Sequence, residues 1–203
     1  MNDRPKGAYH HGDLRRAVLS ACFELLEEGG LEAVVMAKAA RKAGVSSGAP
    51  YRHFKDRAEL LSVMASDANA QLQQALGVAA GSATSPSDIF RAIGVAYVTW
   101  AAENPTLYRL VTEPGLIQVD DAATPDEAAY WRKLSALLAS GAPIPDRHPL
   151  LVQLAGRALA HGLAHLFTSG ILPQLGVGEE HAERVAIAVT GVTAIGSPEP
   201  EPE

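Results

Sequence analysis

The chain has 203 residues, 47% of them hydrophobic and 20% charged, with one cysteine and a formal net charge of −6. These are the proportions of a folded globular protein, large enough for one sizeable core or for a small module packed on a larger domain. Cys22 alone cannot close an intrachain disulfide, which accords with a reducing compartment.

The polar N-terminus is followed by no apolar run, and no stretch holds about 18 consecutive apolar residues. Neither a signal peptide nor a membrane span is expected, and the cytoplasm is the expected location. The net charge hides an asymmetry. Residues 1–57 hold ten Lys/Arg against seven Asp/Glu, a balance of +3; the rest hold seven against sixteen, a balance of −9. A basic head on an acidic body is what a protein needs if only one end meets phosphates.

Residues 1–8 are polar, with Pro5 and Gly7, and read as a flexible arm. At Gly12-Asp13 a carboxylate can cap a helix start. Leu14, Ala17, Val18, Ala21, Cys22, Leu25 and Leu26 follow at helical spacing, and Gly29-Gly30 stops the helix. Met36, Ala39, Ala40 and Ala43 form a shorter stripe ended by Gly44, and a third short helix reaches Phe54. Asp56-Arg57-Ala58-Glu59 is a capping box that opens a long helix to about Val78. Beyond a loop of small residues, helices are expected near 87–103 and 105–112, the second with Asn104 as its cap and Pro105 at its first position. Another runs from the cap Thr124-Pro125-Asp126-Glu127 to about Ala139, and the last two lie near 149–169 and 178–194. No alternating strand and no repeat is present. The expected fold class is all-α, with about nine helices.

The segment that carries function is Met36 to Phe54. A helix-turn-helix needs small residues where its helices cross closely, and Ala39, Ala40 and Ala43 supply them. Gly44 suits a turn of positive φ, Val45 anchors that turn, and Ser46 or Ser47 can cap the next helix. Pro50 falls in a first turn, where a missing N–H does little harm. Ser47, Gly48, Ala49, Tyr51, Arg52 and His53 are left to face a major groove. By spacing alone, an ordinary helical hairpin fits as well.

Ala-Gly-Val-Ser-x-Gly-x-x-Tyr-Arg-His-Phe at 43–54, followed by Lys55-Asp56-Arg57-Ala58-Glu59-Leu60-Leu61, resembles the N-terminal signature of the tetracycline-repressor (TetR) family. So does the capped helix upstream ending in Glu-Glu-Gly-Gly. Tyr9-His10-His11-Gly12-Asp13-Leu14-Arg15 is similar to one branch of that family. The resemblance implies an all-α homodimeric regulator, most often a repressor. Three N-terminal helices would bind a palindromic double-stranded DNA operator. C-terminal helices would bind a small-molecule effector whose identity is not legible.

The organisation it implies is an arm at 1–8, a DNA-binding domain at 9–56, an effector and dimerisation domain at 57–196 and a disordered tail at 197–203. By position it implies that Ser47 and Tyr51 meet the groove or its walls and that His53 and Arg57 meet phosphate. Ser46, Arg52 and Lys55 complete the expected DNA-contacting set. Two positions depart from the pattern. Val35 stands where a Ser or Thr usually caps the second helix, and Ala37 stands where a basic or polar residue is common.

The helix near 149–169 is apolar on most of its circumference, and with the last helix it is expected to form the homodimer interface. Gly156-Arg157-Ala158-Leu159-Ala160-His161-Gly162-Leu163 is similar to a C-terminal signature of the same branch, with Arg157 in place of a tryptophan. Tyr97, Trp100, Tyr108, Trp131, His161 and His165 are the candidate effector-binding residues, with Tyr130 and Phe167 as further aromatics. His161 and His165 have chelating spacing, but only Glu180 and His181 on another helix could join them, so no metal and no cofactor is expected. No glycine-rich phosphate loop, nucleophile motif or partnered carboxylate pair is present, so no enzyme is expected. A helical dimerisation protein without DNA affinity is the other alternative, with Val35 and Ala37 as its signs.

Overall fold

The computed structural model describes residues 11–117, 125–141, 143, 145 and 148–194. The expected arm, the Thr124 cap and the tail at 197–203 lie outside them. The described residues form nine α-helices and two short 3-10 turns, with no strand. The α-helices are α1 (His11–Ala33), α2 (Met36–Lys42), α3 (Arg57–Gly81), α4 (Pro86–Glu103), α5 (Pro105–Thr112), α6 (Pro125–Ala139), α7 (Pro149–Thr168), α8 (Ile171–Gln174) and α9 (Ala182–Ala194). The all-α expectation therefore holds. The chain divides into two compact units, with the division after Ser66, inside α3.

In the N-terminal unit, α1 buries Val18, Ala21, Cys22, Leu25 and Leu26 of the stripe read from the sequence, together with Leu19, which that stripe left out; Leu14 and Ala17 are only partly buried. Each buried Leu or Val side chain stabilises by roughly 1.5–3 kcal/mol. The regular helix breaks at Gly29 (φ −155°) and Gly30 (φ 67°), and a further turn runs to Ala33. On α2, Met36, Ala39 and Ala40 are buried, and the small alanines let α1 and α2 pack closely. Lys42 fastens the same two helices, with Nζ 2.7 Å from Glu28 and 3.0 Å from Glu24.

The capping box at the start of α3 forms. Asp56 Oδ1 accepts from Glu59 N at 2.9 Å, while Glu59 accepts from Lys55 N at 2.6 Å, one residue earlier than the usual reciprocal bond. Leu60, Leu61, Met64 and Ala65 carry the buried face of α3 onward.

In the C-terminal unit, α4, α7 and α9 pack on one another around Val98, Ala102, Ala160, Leu163, Phe167, Ala182 and Ala186. A second cluster joins Leu72, Trp100, Ala101, Tyr108 and Ala164. α7 is long and apolar enough to cross a membrane, but its Ala160, Leu163, Ala164 and Phe167 are core residues of this unit.

Several local expectations change. α1 is already helical at His11, so Asp13 lies within it and not at its cap, and α9 starts at Ala182 after a 3-10 turn over Glu179–His181. Ser85 caps α4, accepting from Asp88 N at 3.2 Å, with Pro86 in the first turn, so this helix starts one residue early. Asn104 makes no side-chain cap for α5; its Nδ2 donates to Trp100 O at 2.9 Å and closes the end of α4 instead. The short α8, which follows Gly170 (φ 81°), is absent from the sequence expectation because four residues carry no helical period.

Candidate nucleic-acid interface and effector site

The turn after α2 is held entirely by backbone. Gly44 has φ 69°, Gly44 N donates to Arg41 O at 3.2 Å, and Val45 N donates to Ala40 O at 2.9 Å. These two bonds around a left-handed glycine form a Schellman motif, which satisfies carbonyls that a helix end leaves open.

The segment Ser46–Phe54 is tighter than an α-helix. Ala49 N donates to Ser46 O at 2.9 Å, and Pro50–Arg52 is a 3-10 turn. Pro50 has no N–H to send to Ser46 O, and His53 N and Phe54 N both donate to Pro50 O at 3.0 Å. The N-cap position of this turn is Ala49, which has no side-chain acceptor, and not Ser46 or Ser47 as expected.

Pro50 and Phe54 anchor the segment to the interior, with Phe54 1% exposed. Ala49 is buried with them, at 7%, contrary to its expected place on the exposed face. Ser46, Ser47, Gly48, Tyr51, Arg52 and Lys55 are exposed, Tyr51 at 57%. His53 is half-buried, and its Nε2 lies inside the protein with no hydrogen-bond partner. Arg57 turns inward: Nε donates to Val34 O at 2.7 Å and Nη2 to Leu31 O at 2.6 Å.

The sequence reading missed Arg15 of α1, whose guanidinium lies 5.5 Å from the centre of the Phe54 ring. Nothing in the spacing points to that pair, because packing alone brings the two together. Val35 is exposed and makes no cap for α2, as its side chain requires.

In the C-terminal unit, three of the six candidate effector residues meet. The hydroxyls of Tyr97 and Tyr108 lie 3.0 and 3.1 Å from Nδ1 of His161, and the two phenol rings pack edge to face. Burial lowers the pKa of His161 below the usual imidazole value, and the neighbouring His165 lowers it further. Tyr108 is buried, and that burial pushes its phenol up.

The other three candidates make no hydrogen bond to that set, although Trp100 packs in the same core cluster as Tyr108. Trp100 is a core aromatic, 8% exposed, and His165 is exposed. Trp131 packs on Tyr130, and the guanidinium of Arg157 covers both rings at 5.7 and 5.0 Å. A groove of about 760 Å³ opens beside α4 and is lined by Ser82, Asp88, Arg91, Thr99, Glu183 and Ile187 among others. It contains none of the candidate effector residues, and its lining comes from the end of α3, the turn after it, α4 and α9, which no sequence spacing joins.

A helical N-terminal unit with a Schellman turn, followed by a short segment whose polar side chains face outward, is the framework of a DNA-binding transcriptional regulator. The family described as bacterial regulatory proteins, tetR family, matches residues 18–64, and the tetracyclin repressor-like C-terminal domain matches residues 90–192. The chain belongs to the TetR family.

Solved structures agree. A protein of unknown function from Rhodococcus sp. RHA1 is 29% identical, with a TM-score of 0.71 over 96% of this chain and 100% of its own. A TetR-like transcriptional regulator from the same organism is 14% identical, with a TM-score of 0.61 over 96% of this chain and 100% of its own. The TetR family transcriptional regulator PfmR from Thermus thermophilus is 20% identical, with a TM-score of 0.55 over 91% of this chain and 97% of its own. The last two likenesses speak to fold alone. No curated protein matches the sequence.

Proposed function

We propose that this regulator is a ligand-responsive cytoplasmic repressor that binds a palindromic operator as a homodimer. Its DNA-contacting surface would be Ser46, Ser47, Tyr51, Arg52 and Lys55. The observation that carries the reading is the exposure of these polar side chains on a segment whose backbone is anchored from behind by Pro50 and Phe54. Short hydroxyls and one aromatic can approach base edges, and the two cations can meet phosphates. His53 would join them at a phosphate through its Nδ1 edge, since Nε2 is enclosed.

Two further observations support the rest of the reading. Val152 and Leu166 on α7 and Ile187 on α9 are exposed apolar residues, and a Cβ at Gly162 would meet open space, as a face for a second copy would have. Tyr97, Tyr108 and His161 put three polar groups of three helices in one place, which suits recognition of a small molecule.

The test is selection of duplexes from a random pool by the full chain, followed by mobility shift at several salt concentrations. A palindromic consensus is expected, with Tyr51→Ala weakening binding and Lys55→Ala lowering the salt slope by about one unit. Recovery of no consensus would overturn the reading. Sedimentation as a monomer at micromolar concentration would remove the homodimer, and mass spectrometry of material co-purifying with the full chain would identify an effector.

A further inference from the structure

The partners of Arg57 point to a role different from phosphate binding. Its Nε and Nη2 reach back to Val34 O and Leu31 O, 23 and 26 residues upstream. Leu31 O lies in the last turn of α1, beyond the break at Gly29-Gly30, and Val34 O lies in the link from α1 into α2; Val34 N also donates to Leu31 O, at 3.2 Å. The Val34 side chain is fully buried, so this turn is seated in the core of the N-terminal unit.

The turn has little local support. Val35, at the start of α2, offers no side-chain acceptor to the free N–H groups of that helix. Arg57 fixes the turn from the other side, from the first residue of α3. The guanidinium suits this task because it is planar and rigid and presents two N–H groups, each held to a separate oxygen. An ammonium is a point charge on a flexible stem and cannot span both carbonyls in one fixed plane. Neighbouring residues supply the counterpart: Asp56 and Glu59 close the first turn of α3, so the stem of Arg57 leaves from a helix start that is itself tied down.

We propose that Arg57 is a positioning residue for DNA binding: it locks the start of α3 to the α1–α2 turn and thereby sets α2 and the Ser46–Phe54 segment that follows it. It acts on DNA through the backbone of Leu31 and Val34 and is not a phosphate ligand. This rests on the DNA-binding reading above, so the experiment separates the two.

The full chain is compared with Arg57→Ala and Arg57→Lys, using duplexes that the wild-type chain selects from a random pool. Circular dichroism fixes the folded fraction at the assay temperature. Affinity is then measured against salt, with Lys55→Ala as the phosphate-contact control. In the DNA-free wild-type chain, NMR reads solvent exchange of the Arg57 Nε–H.

Both Arg57 variants should remain folded and lose affinity by about tenfold or more, the scale of a hydrogen bond to a charged group. Their salt slope should stay at the wild-type value, while Lys55→Ala lowers it by about one unit. The Nε–H should exchange slowly without DNA and stay slow with DNA. Retained affinity in Arg57→Lys together with a slope lowered by about one in Arg57→Ala would overturn the proposal in favour of a phosphate contact. Unchanged affinity in Arg57→Ala would remove any role in DNA binding. If either variant fails to fold, the Nε–H decides, since fast exchange in the free protein would mean that no such lock exists. If the wild-type chain selects no duplex at all, the DNA-binding reading fails, and the Nε–H measurement still reports on the lock.

Discussion

The phenol oxygen of Tyr108 stands 3.1 Å from Nδ1 of His161, while that of Tyr97 stands 3.0 Å from the same nitrogen. A ring nitrogen offers one lone pair or one proton in its plane, so two hydroxyls cannot both be fully served by it. Loss of one hydroxyl therefore leaves the nitrogen a partner. Tyr108→Phe is expected to cost about 1 kcal/mol or less. Tyr108→Ala, which empties a buried ring position, is expected to cost ~3–5 kcal/mol. Urea denaturation of the two variants checks this, and equal losses would show that the hydroxyl matters more than the ring.

The same histidine makes stability depend on pH in a definite direction. Its folded pKa lies below the unfolded value of about 6.5, chiefly through burial, with His165 adding to the effect. As pH falls through 6.5 the unfolded chain takes up a proton that the folded chain resists, so stability is full above that pH and declines below it. The thermal midpoint of the wild-type chain should therefore drop more between about pH 7.5 and about pH 5.5, on either side of the unfolded value, than that of His161→Gln. Parallel pH profiles for the two proteins would refute the assignment to His161.

Two glycines in the DNA-binding unit should respond in opposite ways to alanine. Gly44 sits at φ 69°, and nothing lies within 4 Å of a Cβ built there, so the penalty is purely conformational. Gly44→Ala is expected to destabilise by ~1–2 kcal/mol. Gly48 also faces open space but is not at positive φ. Gly48→Ala should be neutral or stabilise by up to about 1 kcal/mol through the unfolded chain. Melting temperatures of the two variants should move apart.

Cys22 is buried, and burial pushes its thiol up to about 11. Only the thiolate reacts with disulfide reagents. Labelling at about pH 8 (roughly three units below that value) should be slow in the native chain and fast in denaturant. Rapid native labelling would mean that α1 opens readily.

The helices that carry long apolar stripes are legible because burial and the helical period coincide in them: Val18, Cys22 and Leu25 on α1 are core residues, as their spacing requires. Local chemistry is legible at Gly44 and Asp56, where a single residue type answers a single backbone need. It is not legible at Asn104, because an amide at a junction of two helices can serve either one. Ala49 faces inward because the 3-10 turn changes the periodicity on which the exposed face was assigned.

Long-range partners are beyond reach for a different reason. Arg57 and Val34 are 23 residues apart, Tyr97 and His161 are 64 apart, and only packing decides whether such groups meet. Charge counting likewise cannot know that Lys42 is engaged with Glu24 and Glu28.

The backbone bonds that hold Gly44, Val45, Ala49 and Phe54 make no use of the outward side chains at Ser47, Tyr51 and Arg52. The outer surface can therefore be rewritten while the support stays as it is. Under the DNA-contacting role proposed for these positions, a duplicated copy of such a gene could change them one at a time, remaining folded at each step, and arrive at a different target. The separation of support from surface makes the segment a natural place for lineages to diverge, and the first place to randomise in redirecting this regulator.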